Sequence, residues 1–166
     1  MDPDEATLDA VAGRATLRFE RDLARGPEEV WRSLTEPEEL EVWFPCGIVT
    51  DEWRVGAPLR FVFRADEGPD FHGTVLECDP PRLLAFTWGE ETLRFELSRI
   101  SGGTRLVLVD ELRVSIAARS AAGWDVCLSR LEGGRVGAGT WSSRFEHYVR
   151  RFAPVLGPQE GPPATA

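Results

Sequence analysis

The chain has 166 residues, enough for one domain that buries roughly two-thirds of the surface its unfolded form exposes. All 19 residues in the Lys+Arg total are arginine, which excludes a lysine Schiff base, a phosphate-loop lysine and a lysine general base. With 28 acidic residues the formal net charge is −9, so phosphate backbones and anionic lipid surfaces repel the chain, and neither nucleic acid nor a membrane is expected as a partner.

Residues 1–13 (MDPDEATLDAVAG) are acidic and weakly patterned, and are expected to form a flexible end. From Thr16 to Leu23 apolar and polar residues alternate, with Leu17, Phe19, Arg21 and Leu23 on one side, which predicts a first strand. Gly26-Pro27 opens a short helix with Val30, Trp31 and Leu34 as its stripe, Pro27 lying where a missing N–H costs nothing. Thr35 is a candidate cap for a second short helix, Pro37 to about Val42, that delivers Trp43 and Phe44 at its end. The glutamates at 36, 38, 39 and 41 form either a solvated face or a docking patch for a protein partner, helix 36–41.

Six further strands are predicted around 48–53, 58–64, 71–78, 83–88, 92–100 and 104–112, an antiparallel meander punctuated by Gly and Pro turns. Its central hairpin is GTVLECDPPRLLAFTW, residues 73–88. Asp79 and Pro80 both precede a proline and are pushed out of the α region, so no helix can cross the turn. Alternation puts Leu59, Phe61, Phe63, Phe71, Gly73, Val75, Leu84, Phe86, Trp88, Leu93, Phe95, Leu97, Leu106, Leu108 and Asp110 on the inner face. After Arg113 the period becomes helical through Ala117, Ala121, Trp124, Leu128 and Leu131, with Ser115 as candidate cap and Gly133-Gly134 as stop. A last helix capped by Thr140 carries Trp141, Phe145, Tyr148, Val149 and Phe152, and residues 154–166 are expected as a disordered tail around one domain at 14–153.

Few residues carry recognisable chemistry. Cys46, Cys78 and Cys127 have no metal-site or CxxC spacing and read as small buried hydrophobes in a reduced, cytoplasmic protein. His72 and His147 stand far apart, with no ligand spacing and no GxSxG nucleophile elbow in the chain; each reads as a surface or hydrogen-bonded histidine. GGRVGAG at 133–139 follows a helix and therefore fails as a nucleotide fingerprint. No metal and no cofactor are expected. Asp110 stands out. It is either solvated at a frayed strand end or lines a pocket entrance as an orienting or acid/base group, with Arg21 as its candidate counter-charge.

The segments LARGPEEVWRSLTEPEELEVWF, G-x-V-x-E-x-DPP-x-L-x-F-x-W, SGGTRLVL and AAGWDVCLSRL, in this order across about residues 15–152, resemble the helix-grip superfamily of START-like and birch-pollen-allergen-like (SRPBCC) proteins. Within it they look like the activator-of-heat-shock-protein-ATPase homology branch. The resemblance implies an α+β fold in which a curved antiparallel sheet of about seven strands grips a long helix. Two short helices would follow strand one, and an extra helix would lie at the C-terminus. It also implies a cavity between sheet and helix, with Phe61, Phe63, Phe86, Trp88 and Phe95 below, Trp124 and Leu128 above, Trp43 and Phe44 at the mouth and Asp110 at the entrance. These aromatics either bound that cavity or simply fill the core. Six tryptophans weigh towards the cavity, because a core made for stability alone is more readily built from aliphatic residues. The expected function is binding of a small, largely apolar molecule by a monomer or homodimer, with no enzyme activity required. A cyclase or hydrolase using Asp110, and a co-chaperone or regulator partner, are the alternatives.

Overall fold

A computed structural model describes residues 4–162 of the chain. The alternating segments form strands β1 (Thr7–Val11), β2 (Arg14–Leu23), β3 (Gly47–Val49), β4 (Pro58–Val62), β5 (Phe71–Asp79), β6 (Leu83–Trp88), β7 (Glu91–Ile100) and β8 (Gly103–Arg113). All lie in one antiparallel sheet of order β1-β2-β8-β7-β6-β5-β4-β3. The helices are α1 (Pro27–Thr35), α2 (Pro37–Trp43), α3 (Ala117–Leu131), entered through a single 3-10 turn at Val114–Ile116, and α4 (Thr140–Leu156).

The inner stripes meet as alternation requires. Leu17, Asp110 and Leu93 lie side by side across β2, β8 and β7, as do Phe19, Leu108 and Phe95. All but Phe95, at 1 % exposure, are at 0 %. Against this face α3 sets Ala117, Ala118, Ala121 and Ala122, whose small side chains let the helix approach closely, and then Trp124 and Leu128. On α2 the glutamates 36, 38, 39 and 41 are exposed.

Three local expectations are corrected. Residues 7–11, expected to be loose, form the edge strand β1, turned back by Ala12 and Gly13, both at positive φ. The segment leading into it is anchored where Ala6 N donates to the Tyr148 hydroxyl at 3.1 Å and where Glu5 meets Arg151 at 3.1 Å. A strand held by backbone pairing, with four of its five residues exposed, carries no apolar period to read. Nor do the three candidate caps cap. Thr35 donates back to Trp31 O at 2.9 Å, Ser115 bonds Glu160, and Thr140 lies one residue inside α4 after a left-handed Gly139. Thirdly, the segment after α4 folds back instead of trailing away. Gln159 Oε1 accepts the Ala118 N–H at 3.0 Å, satisfying an otherwise unpaired donor in the first turn of α3, while its amide bonds Val114 O at 3.0 Å.

The β5–β6 hairpin turns through a cis Pro80-Pro81 bond, closed by Arg82 N donating to Asp79 O at 2.7 Å. Gly73 is fixed by close approach: a Cβ there would lie 2.3 Å from Thr87 O and 2.8 Å from the Phe61 ring. Backbone cannot yield to that contact cheaply. Gly73→Ala should therefore destabilise the fold by about 1–3 kcal/mol, read as a lowered urea midpoint with unchanged slope.

Candidate functional site

The sheet–helix space is occupied by rings in mutual contact. Trp43, expected at the mouth, is 1 % exposed; its Nε1 donates to Ser33 O at 2.8 Å and its ring meets Phe44 at 5.4 Å and Phe95 at 6.0 Å. The buried Phe44 in turn touches Trp88 at 5.2 Å and Trp124 at 5.7 Å. Phe61 packs on Trp88 at 4.8 Å, Phe86 stacks on Phe95 at 6.0 Å, and Leu128 is fully buried. At such separations aromatic pairs are in van der Waals contact. The mouth expected at Trp43 and Phe44 is therefore core, because α2 tucks both rings beneath itself.

One open space lies at the strand ends, where the β6–β7 turn faces the start of α3. There a concavity of about 320 Å³ has an apolar wall of Phe71, Trp88 and Ile116 and a polar rim of His72, Glu90, Glu91, Arg113 and Arg119. Of the residues expected from sequence, Trp88 lines it. Phe63 backs the wall through Phe71 at 5.7 Å and Trp88 at 6.2 Å, and Trp124 lies behind Trp88 at 6.3 Å. Phe71 was on the predicted inner stripe, whereas Glu91, Arg113 and Arg119 stand at element ends where periodicity carries no signal.

Beneath the concavity Asp110 is fully buried rather than solvated at a frayed end. Trp124 Nε1 donates to its Oδ2 at 2.8 Å, while Oδ1 has no hydrogen-bond partner among the described residues, and the carboxyl group of Glu91 acts on Asp110 from nearby. Arg21, expected as its counter-charge, lies elsewhere and bonds Asp125 at 3.0 Å, because β2 directs it to the opposite edge of α3. Burial, and then the Glu91 charge, raise the Asp110 pKa well above its ordinary value; the Trp124 hydrogen bond only partly opposes them. Glu91 is also raised by burial, but a hydrogen bond from Asp110 and the positive charges of Arg119, Arg14 and Arg113 pull it back. Both shifts favour keeping a proton on the buried pair, with Asp110 the more strongly raised of the two.

Burial pushes the thiols of Cys46 and Cys127 up to about 12 and raises that of the partly exposed Cys78, so all three favour the protonated thiol. Among the described residues no three His, Cys, Asp or Glu side chains converge as a metal site would require, and no helix is long and apolar enough to cross a membrane.

A curved antiparallel sheet closed over a long helix is the helix-grip arrangement, with eight strands where about seven were expected. The model of the family described as Activator of Hsp90 ATPase homolog 1-like protein matches residues 25–133, and the chain belongs to that family. Solved structures share the fold. The conserved protein EF2215 from Enterococcus faecalis, of unknown function, is 21% identical over 90% of this chain and 91% of its own, with a TM-score of 0.78. CalU16 from Micromonospora echinospora is 18% identical over 92% of this chain and 97% of its own, at 0.67. The protein encoded by BPP1335 of Bordetella parapertussis is 26% identical over 90% and 91%, at 0.64. No curated protein matches the sequence.

The raised Asp110 pKa has a pH signature. Asp110 keeps in the folded state a proton that the unfolded chain releases above about pH 4. Its contribution to stability is therefore complete below that pH and is lost as pH rises towards the folded-state pKa. Asp110→Asn retains an oxygen for Trp124 and a donor for Glu91 without a titrating proton. Its melting temperature should fall less than wild type between mildly acidic and mildly alkaline buffer; equal slopes would place the proton elsewhere.

Proposed function

We propose that the protein binds a small, largely apolar molecule in the concavity beside Trp88. The observation that carries this reading is a space of about 320 Å³ walled by Phe71, Trp88 and Ile116 and rimmed by a few convergent polar groups. Ligand sites have this composition, and the volume falls at the lower end of their range of roughly 300–1,000 Å³. The family commonly binds hydrophobic ligands, which supports the reading from outside the structure. Trp88 is the residue to test. It is only half-buried yet touches Phe44, Phe61, Phe63, Phe71 and Trp124, so its exposed face is available to a ligand. Trp88→Ala should cost less than the roughly 3–5 kcal/mol of a fully packed core aromatic, while weakening apolar ligands found by thermal-shift screening and native mass spectrometry. A full core penalty, with no ligand detected for the wild type, would end this reading.

The buried carboxyl pair favours a second reading, acid/base catalysis in the same place. Glu91 lines the concavity and Asp110 stands directly behind it, so a proton can pass between the interior and a bound molecule through the Glu91 carboxyl. On this reading Asp110→Asn abolishes turnover of a substrate without loss of folding; unchanged turnover would remove Asp110 from the mechanism.

A further inference from the structure

Two arginines on the rim of the concavity already meet an acid group supplied by the chain itself. After α4, Glu160 places its carboxylate between two arginines that line the space, Oε1 at 3.9 Å from Arg113 Nη1 and Oε2 at 3.8 Å from Arg119 Nη1. The Ser115 hydroxyl donates to Oε1 at 2.8 Å. The arrangement stands at the start of α3, where the partial positive charge of the helix favours an anion and the first turn carries no acidic residue. Two guanidiniums, a hydroxyl and a helix end thus surround one carboxylate, and both guanidiniums belong to residues that also line the concavity with Trp88 and Phe71.

Neither arginine is closely engaged by that carboxylate. Both separations exceed hydrogen-bond length, and each guanidinium has five N–H donors. Among the described residues, Arg119 otherwise donates to Gly161 O at 3.3 Å and Arg113 pairs with Glu90 at 3.2 Å. The segment is held mainly by other contacts: Gln159 to Val114 O and Ala118 N, and Glu160 N to Ser115 O at 2.8 Å. Turning the Glu160 side chain away would give up the Ser115 hydrogen bond and two long ion pairs while leaving these other contacts of the segment in place.

We propose that the concavity takes the anionic form of a small apolar carboxylic acid, whose carboxylate replaces that of Glu160 between Arg113 and Arg119 while its apolar body lies against Trp88 and Phe71. This rests on the ligand-binding reading above and specifies its chemistry. A single carboxylate fits better than a phosphate, because Glu90 and Glu91 border the same space and would repel a second negative charge. Glu160 then acts as an internal competitor, and the apparent affinity for the acid falls in proportion to its occupancy of the site.

The test compares naphthaleneacetate with naphthaleneacetamide, a neutral analogue of the same shape, by isothermal titration calorimetry on the full chain. Wild type should bind the acid about tenfold more tightly than the amide at low salt, the gap narrowing as salt is added. Glu160→Gln should tighten the acid several-fold and leave the amide unchanged. Arg113→Gln with Arg119→Gln, checked for folding by circular dichroism, should erase the preference while amide binding survives. If acid and amide bind equally in wild type and in Glu160→Gln, or if the preference survives loss of both arginines, the anion site is refuted and the apolar site stands. If neither probe binds any variant, both the anion site and the apolar reading fall.

Discussion

The indole N–H of Trp124 bonds Asp110 at 2.8 Å, and the packing between helix and sheet is organised around that bond. Asp110 lies in the middle of the sheet, flanked by Leu17 and Leu93, where an ionised carboxylate without a partner would be costly. One oxygen is satisfied by the helix while the other has no hydrogen-bond partner among the described residues and feels the Glu91 charge, so the Trp124 bond ties α3 to this point of the sheet. Phe44 and Trp88 then pack around Trp124, and Trp88 presents its remaining face to the concavity. The wall of the candidate site therefore stands on a buried polar contact.

The adjacent residue on the helix, Asp125, solves the burial problem differently. It faces the edge of the sheet, where Arg21 donates to it at 3.0 Å and the Tyr148 hydroxyl at 2.6 Å. Burial raises its pKa, while the phenol and the guanidinium oppose that shift and stabilise the charge. The Tyr148 oxygen in turn accepts the Ala6 N–H, so one chain of bonds ties β2, α3, α4 and the segment before β1 together. Consecutive residues on α3 thus fix its two flanks, Trp124 donating to Asp110 of β8 on one and Asp125 accepting from Arg21 and Tyr148 on the other.

Much of this fold was legible in the residues, for a definite reason. Strands with one covered face must alternate, so β2 and β4 to β8 could be read from Leu17 to Asp110, and the double proline could only be a turn. β1 was hidden because an exposed edge strand paired through its backbone does not alternate. The pairing of Arg21 with Asp125 was hidden because it depends on the rotation of α3 relative to β2, which no one-dimensional pattern encodes. Alternation could group the aromatics on one face of the sheet, but which of them border the concavity it could not tell. Alternation assigns Phe86 and Trp88 to the same side, and only their distance from the end of the strand makes one of them core and the other wall. Glu91, Arg113 and Arg119 were missed because they lie at the ends of elements, and the docking of Gln159 and Glu160 is concealed in a proline- and glycine-rich stretch.

The position of the concavity at the strand ends, beside an interior packed with rings, bears on what kind of molecule the proposed site would take. Rings fill the interior because α2 delivers Trp43 and Phe44 beneath itself, and a site there would have been apolar on every side. At the strand ends the turn at Gly89 and the start of α3 bring backbone termini and charged residues to the edge of an apolar wall. The resulting space is polarised, with Trp88 and Phe71 on one side, the acid pair below and two arginines on the rim. On the proposed ligand-binding reading, a purely hydrocarbon molecule would leave those charges desolvated and unanswered, whereas one with an apolar and a polar end would meet both sides in a single orientation.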